Sequence, residues 1–178
     1  LVPLNYAFDD DFVGLTVGSE DSEVKGVAVA HELENSILDY STNNNINTLI
    51  TYHPPPLKKI LKDDGTDIFE DDLLTVKCRE SGLNIITIHT AQDVCNGGNA
   101  DSLVDLFGIT DTKVFARTVG KFGAGRYGNI TKTSNSKLKA IVESKLNTKI
   151  VRTNEYFQEI KEINTICLLY TSDAADDC

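Results

Sequence analysis

The sequence predicts an α/β fold with a mostly parallel sheet and flanking helices, built from two related α/β units of which the second is incomplete. The main observation is that short apolar segments alternate with helical segments through the first 112 residues, a pattern that usually builds a parallel sheet with helices packed outside it. The second observation is size, since 178 residues with 40% apolar content are enough for a buried core in one or two small units.

Three segments of the first unit read as strands because they are rich in β-branched and small apolar residues. They are 24–30 (VKGVAVA), 47–52 (NTLITY) and 83–88 (LNIITI). The connections between them are long enough for crossovers, so we expect all three strands to run in the same direction.

Helical spacing of apolar residues separates these strands. The predicted helices cover 36–40, 71–81 (DDLLTVKCRES) and 101–107 (DSLVDLF). Gly82 ends the second helix and Gly108 ends the third, because glycine readily adopts the left-handed conformation that closes a helix.

The character of the chain changes after Gly108, and we place a boundary near residue 112. A basic, glycine-rich segment is followed by a predicted helix at 136–146 and by predicted strands at 149–152 and 163–170. Within it, Gly123–Gly128 (GAGRYG) is typical of a tight hairpin or loop. The organisation is therefore 1–112 for the first α/β unit, 113–170 for a partial second unit, and 171–178 (TSDAADDC) for a non-native tail.

Charge and composition exclude several classes of protein. The net charge is −10 with no basic stripe, which argues against direct binding of nucleic acid. The longest apolar runs fall well short of the roughly 20 residues that span a bilayer. Four separated cysteines without a CxxC pair fit a reducing compartment. We expect a cytoplasmic protein without a membrane segment, although Leu1 is not a methionine and a targeting segment could precede it.

Each histidine of the chain follows the end of a predicted strand. His31, His53 and His89 therefore lie at the carboxyl edge of a parallel sheet, where ligands usually bind. His89 is followed four residues later by Asp93, so an imidazole and a carboxylate can converge. We predict a divalent-metal site formed by His53, His89 and Asp93. Nitrogen and oxygen ligands without thiolate suit zinc, manganese or iron.

Structural explanations compete with this hypothesis. His53 precedes three prolines and could be a loop residue that caps a backbone group. Asp93 could be a turn or cap residue. His31 has neighbouring glutamates that fit a solvated helix entry, so we expect His89→Ala to lower bound metal more than His31→Ala. Gly97-Gly98-Asn99 could cradle a phosphate at a helix N-terminus, but a plain loop explains it equally well.

Four segments, taken together, resemble a known family. LVPLNYAFDDDFVGLTVG at 1–18, TYHPP at 51–55, IHTAQD at 88–93 and GAGRYG at 123–128 are similar in order and spacing to the NIF-three-like dinuclear metal family, also called GTP cyclohydrolase I type 2. The resemblance implies that His53 is a metal ligand, that His89 is a ligand or its close partner, and that Asp93 binds or bridges two metals.

The chain departs from the family pattern at several positions. Tyr52 stands where bacterial members carry another histidine, Phe12 replaces a common asparagine, and Glu32 stands near the usual aspartate. The family's later histidine and glutamate have no counterpart in the sequence, so the resemblance implies two divalent ions only in the complete protein.

Two functions follow from the resemblance. The first is a metal-dependent hydrolase of the GTP cyclohydrolase I type 2 class, for which no catalytic residue can be assigned. The alternative is a non-enzymatic, transcription-related regulatory protein that binds a protein partner. The family also implies a homo-oligomer.

Overall fold

A computed structural model of the chain describes residues 2–62, 64–149 and 161–170. The chain divides into two compact units, Leu1–Gln92 and Asp93–Cys178. This division lies upstream of the boundary near residue 112 that composition predicts, because the helix at 99–107 contacts the strands of the second sheet. The tail at 171–178 and most of the predicted strand at 149–152 lie outside the described residues.

The first unit contains most of the regular elements. Its described elements are a 3-10 helix, six strands and three helices: Leu4–Tyr6 (3-10), β1 Gly14–Val17, β2 Val27–Ala30, α1 Asn35–Asn43, β3 Thr48–Thr51, β4 Leu57–Leu61, β5 Asp67–Asp71, α2 Leu73–Glu80, β6 Asn84–Thr87 and α3 His89–Val94, the last of which crosses the division. The main sheet has the order β1-β6-β3-β2. β2, β3 and β6 are parallel, which confirms the predicted direction, whereas β1 pairs antiparallel with β6.

One face of this sheet forms the core of the unit. Leu49 and Ile85 lie opposite each other on β3 and β6 and are fully buried. They pack in one cluster with Leu38 of α1 and Cys78 of α2. Because strand side chains alternate between faces, the neighbouring residues Ile50 and Ile86 point to the other face, where they are only partly buried.

The hairpin of β4 and β5 explains why α2 begins later than predicted. Asp71 pairs with Leu57 as the last residue of β5, so the chain is still extended there. The helix starts after Asp72, whose side chain accepts a 2.6 Å hydrogen bond from the backbone N–H of Leu74. An aspartate at this position satisfies a donor that the first turn leaves unpaired.

The second unit has an antiparallel sheet of order β7-β8-β9. Its described elements are α4 Asn99–Phe107, β7 Thr110–Arg117, β8 Gly123–Thr133, α5 Asn135–Lys145 and β9 Ile163–Leu169. Gly108 closes α4 in the left-handed conformation, with a φ of 65°, as predicted. The mixed α/β class that the sequence predicts is confirmed, with helices flanking the sheets.

Of the two alternatives for Gly123–Gly128, the hairpin is the one observed, since the segment forms the first half of β8, which pairs antiparallel with β7. The alternative of a loop is wrong. A Cβ atom at Gly125 would stand 2.3 Å from the ring of Phe115, and one at Gly123 would stand 2.5 Å from the Phe115 carbonyl oxygen. The glycines are therefore needed for close strand packing. Arg126, which directly follows Gly125, is buried and donates hydrogen bonds to the side chain of Asp101 and to the carbonyls of Gly123 and Gly125.

Among the residues that the structure describes, no helix has the length and apolar character needed to cross a membrane.

The alternation of faces on β6 gives a direct test of the core. Ile85→Ala should lower the free energy of unfolding by about 2 to 5 kcal/mol, because it leaves a cavity at a fully buried position. Ile86→Ala is the matched control and should cost clearly less, since that side chain is only partly buried. Chemical denaturation measures both variants, and equal losses would contradict the assignment of the two faces.

Candidate metal centre

Backbone hydrogen bonds continue between the three parallel strands past their carboxyl ends. Four backbone hydrogen bonds continue the ladder: Tyr52 N–H to Ala30 O at 3.1 Å, His53 N–H to His31 O at 3.0 Å, Ile88 N–H to Thr51 O at 3.0 Å, and His89 N–H to Tyr52 O at 3.0 Å. The residues that follow each strand are therefore fixed in register. This arrangement brings all three histidines to one edge of the sheet, as the sequence predicts.

Four rings meet at this edge. The ring centroids of His31 and His53 are 4.7 Å apart, and those of His53 and His89 are 5.5 Å apart. The ring of Tyr52 lies 4.9 to 5.4 Å from each of the three histidine rings. The histidines are thus neighbours, close enough for pairs of imidazole nitrogens to serve one ion after side-chain rotation.

Among the described residues, His31, Glu32 and His53 form a close set of donor atoms. One potential ligand atom from each lies within 4.8 Å of the other two. Glu32 Oε1 is 3.3 Å from His53 Nδ1 and 4.0 Å from His31 Nδ1. Ligands of a tetrahedral zinc ion stand about 3.4 Å apart, given metal–ligand bonds of roughly 2.1 Å. The set therefore needs only small side-chain movements to enclose an ion.

These three residues differ in burial. The side chains of His31 and Glu32 are about 60% exposed, at 62% and 60%, whereas that of His53 is 27% exposed. His53 is thus the most constrained member of the set, and the other two approach it from the solvent side.

His89 lies on the buried side of the cluster, in contact with Asp11. Its Nδ1 is 2.7 Å from Asp11 Oδ1, and the two side chains are only 10% and 8% exposed. Burial raises the pKa of Asp11, but hydrogen bonds from His89 and Thr90 outweigh this effect and hold that pKa below its ordinary value. Asp11 therefore remains a carboxylate in the folded protein.

Asp93, the third predicted ligand, belongs to the second unit. It is buried, and its Oδ1 accepts a 2.7 Å hydrogen bond from the side-chain amide of Asn99. It is not a member of the close set of donors around His53. The structure thus brings His53 and His89 together, whereas the assignment of Asp93 as a ligand stays a prediction.

Sequence reasoning undervalued or missed three residues at this edge. His31 was placed below His89 because of its glutamate neighbours, and yet one of those neighbours, Glu32, is the carboxylate closest to His53. Asp11 was not considered, although it belongs to an acidic run, Asp9-Asp10-Asp11. Asp11 precedes His89 by 78 residues in the sequence, so the sequence alone does not show that the two side chains form a pair.

An apolar cleft in the second unit does not compete for this role. It has a volume of about 490 Å³ and lies between the strand segment 163–168 and the apolar side chains of Phe107, Leu138 and Val142. Glu162 and Cys167 are the described lining residues that could bind a metal ion, and no histidine lines the cleft. The cleft therefore lacks the donor set of the histidine edge.

Relatives of known sequence share the name GTP cyclohydrolase 1 type 2 homolog. The protein of this name from Bacillus subtilis is 30% identical over 116 residues, which are 65% of this chain and 31% of the relative. The one from Methanocaldococcus jannaschii is 26% identical over 153 residues, which are 80% of this chain and 60% of the relative. The chain thus spans between about one third and three fifths of the length of these two relatives.

Solved structures share the fold. A Bacillus cereus protein related to NIF3 superposes with a TM-score of 0.77 at 16% identity, covering 97% of this chain and 73% of that one. A hypothetical protein from Staphylococcus aureus superposes with a TM-score of 0.73 at 22% identity, covering 98% and 69%. The model of one family, Duf34/NIF3 (NGG1p interacting factor 3), matches residues 1–172. The chain therefore belongs to the Duf34/NIF3 family.

Proposed function

We propose that this chain binds a divalent cation through His31, Glu32 and His53 at the carboxyl edge of the parallel strands. The observation that carries the proposal is the approach of one donor atom from each residue to within 4.8 Å of the others. Two imidazoles and one carboxylate leave room for water or substrate in a fourth position, as in catalytic zinc sites.

The chemistry of the donors limits the choice of ion. Imidazole nitrogen with carboxylate oxygen, and without thiolate, suits zinc, manganese or iron. Glu32 supplies the negative charge of the set, and His53 supplies its least exposed donor. The exposed members must become ordered when the ion binds, which reduces the net affinity.

A second cation position rests on the family resemblance. That resemblance makes His53, His89 and Asp93 ligands, and the 5.5 Å separation of the His53 and His89 rings supports the participation of the two histidines. We propose that His89 serves this second position, with Asp93 as its carboxylate ligand, so that the complete protein holds two ions.

A cation at this edge could support hydrolysis. A bound divalent ion lowers the pKa of coordinated water and stabilises charge on a phosphate or ring-opening substrate. The relatives named GTP cyclohydrolase 1 type 2 homolog point to a purine nucleotide as the first substrate to examine. We therefore propose a metal-dependent hydrolase of this class as the enzymatic function.

The second candidate is a protein-interaction function, and the open face of the first sheet favours it. Leu15, Ile86, Ile50 and Val29 occupy one row across the four strands. Leu15 and Val29 at the ends of this row are exposed, Val29 by 76%. Parallel sheets usually have both faces covered. A second copy would match the row, because a two-fold axis sets Val29 against Leu15 and Ile50 against Ile86.

The metal proposal is tested by isothermal titration with zinc or manganese. Glu32→Gln should raise the dissociation constant by at least roughly 10 to 100-fold, which is the usual cost of disturbing even the residues around a ligand. Glu34→Gln removes the same charge two positions away and should have little effect. His31→Ala should behave like Glu32→Gln. Titrations that do not distinguish Glu32→Gln from Glu34→Gln would exclude the triad.

Nucleotide turnover distinguishes the enzyme from the interaction protein. If the complete protein is a hydrolase, it should consume GTP in the presence of zinc or manganese, and both a chelator and the His53→Ala substitution should abolish this consumption. Chromatography of the nucleotide products measures it. Saturable metal binding without any consumption of GTP would favour the interaction function.

Self-association is tested at the most exposed position of the apolar row. If two copies pack there, Val29→Asp should shift the chain from dimer to monomer in sedimentation velocity, because the packed face would bury an unpaired charge. Glu34→Gln again serves as a control on the same unit. A monomeric wild-type chain at high concentration would contradict the proposal.

A further inference from the structure

Asp11 has every acceptor position of its carboxylate occupied. Its Oδ1 accepts the backbone N–H of Phe12 at 2.8 Å and lies 2.7 Å from His89 Nδ1. Its Oδ2 accepts the backbone N–H of Thr90 at 3.1 Å and also the hydroxyl of Thr90. An ionised carboxylate has about four acceptor sites and no donor. The contact with His89 is therefore a hydrogen bond that the imidazole donates from Nδ1.

The partners of Asp11 are themselves held in place. The Thr90 hydroxyl, which donates to Oδ2, accepts the backbone N–H of Phe8 at 3.1 Å. His89 is the first residue of α3, and its backbone N–H is bonded to the carbonyl of Tyr52. Rotation of the carboxylate would break four hydrogen bonds, and rotation of the imidazole would break its bond to Asp11.

We propose that Asp11 is a positioning residue that fixes His89 in the Nδ1–H tautomer and thereby makes Nε2 its metal-binding nitrogen. A neutral imidazole carries one proton, so a donor at Nδ1 leaves the lone pair on Nε2. Ligating histidines commonly donate their second nitrogen to a carboxylate in this way, which fixes the ring and strengthens the ligand. The inference rests on the proposed metal-binding function and adds a residue to it.

This role separates the two sides of the centre. His31 and Glu32 are largely exposed, whereas the pair of Asp11 and His89 is about nine-tenths buried. His89 is thus preorganised before an ion arrives, and its nitrogen needs little reordering on binding. Asp11 contributes to affinity without touching the ion.

The tautomer can be measured in the metal-free wild-type protein at pH 8, where an ordinary histidine is neutral. Long-range proton–nitrogen correlation spectra should show a protonated Nδ1 and an unprotonated Nε2 for His89. A protonated Nε2, alone or together with Nδ1, would overturn the inference whether or not the chain binds metal.

The effect on the ion is measured with matched variants. Asp11→Asn keeps the shape of the side chain, but its amide must turn one donor toward Thr90 or toward His89. We expect a change in the His89 nitrogen spectrum and a rise of roughly 10 to 100-fold in the zinc dissociation constant. Asp10→Asn removes an exposed neighbouring charge and should change neither.

The outcomes separate this inference from the function on which it rests. If the wild-type chain binds no zinc while His89 shows the Nδ1–H tautomer, the metal function fails and the Asp11–His89 pairing stands. If zinc binds and Asp11→Asn matches Asp10→Asn in both spectrum and affinity, the function stands and the role of Asp11 is excluded. The wild-type spectrum decides the tautomer even if Asp11→Asn does not fold.

Discussion

The parallel register of β2, β3 and β6 is the constraint on which the rest of the site depends. Neighbouring strands lie about 4.8 Å apart, and the ring centroids of His31 and His53 are 4.7 Å apart. Counting onward from Ala30 opposite Thr51, Glu32 falls opposite His53 and His31 falls opposite Tyr52. The ring of His31 therefore approaches that of His53 diagonally, from one residue earlier in the register. Counting onward from Thr51 opposite Thr87, His53 falls opposite His89. A slip of one residue would turn one of these rings to the other face of the sheet.

Much of this constraint could be predicted from the sequence. The three strands are apolar, β-branched and separated by helical segments, and a histidine follows each of them. These features are local, so they indicate both the direction of the strands and the edge at which the histidines meet. The helix end at Gly108 was equally predictable, because it depends on the conformation of one residue.

The features that the sequence did not reveal depend on distant contacts. The composition of GAGRYG does not distinguish a hairpin from a loop, and it is the packing of the Phe115 ring against Gly125 that explains why these glycines lie within a strand. Composition placed the boundary near 112 because it cannot show that α4 packs on the second sheet. The value of Glu32 as a donor was hidden for the same reason, since its distance to His53 depends on the pairing of two strands.

The antiparallel direction of β1 explains why Asp11 was the hardest of these residues to find. In the parallel strands, only residues that follow a strand reach the carboxyl edge. β1 runs the other way, and its first residue, Gly14, lies opposite Thr87 at the end of β6. Residues that precede β1 therefore reach the edge that His89 and Thr90 enter after β6. Parallel strands alone would place only the residues that follow each strand at this edge. The antiparallel direction of β1 adds a carboxylate that precedes a strand.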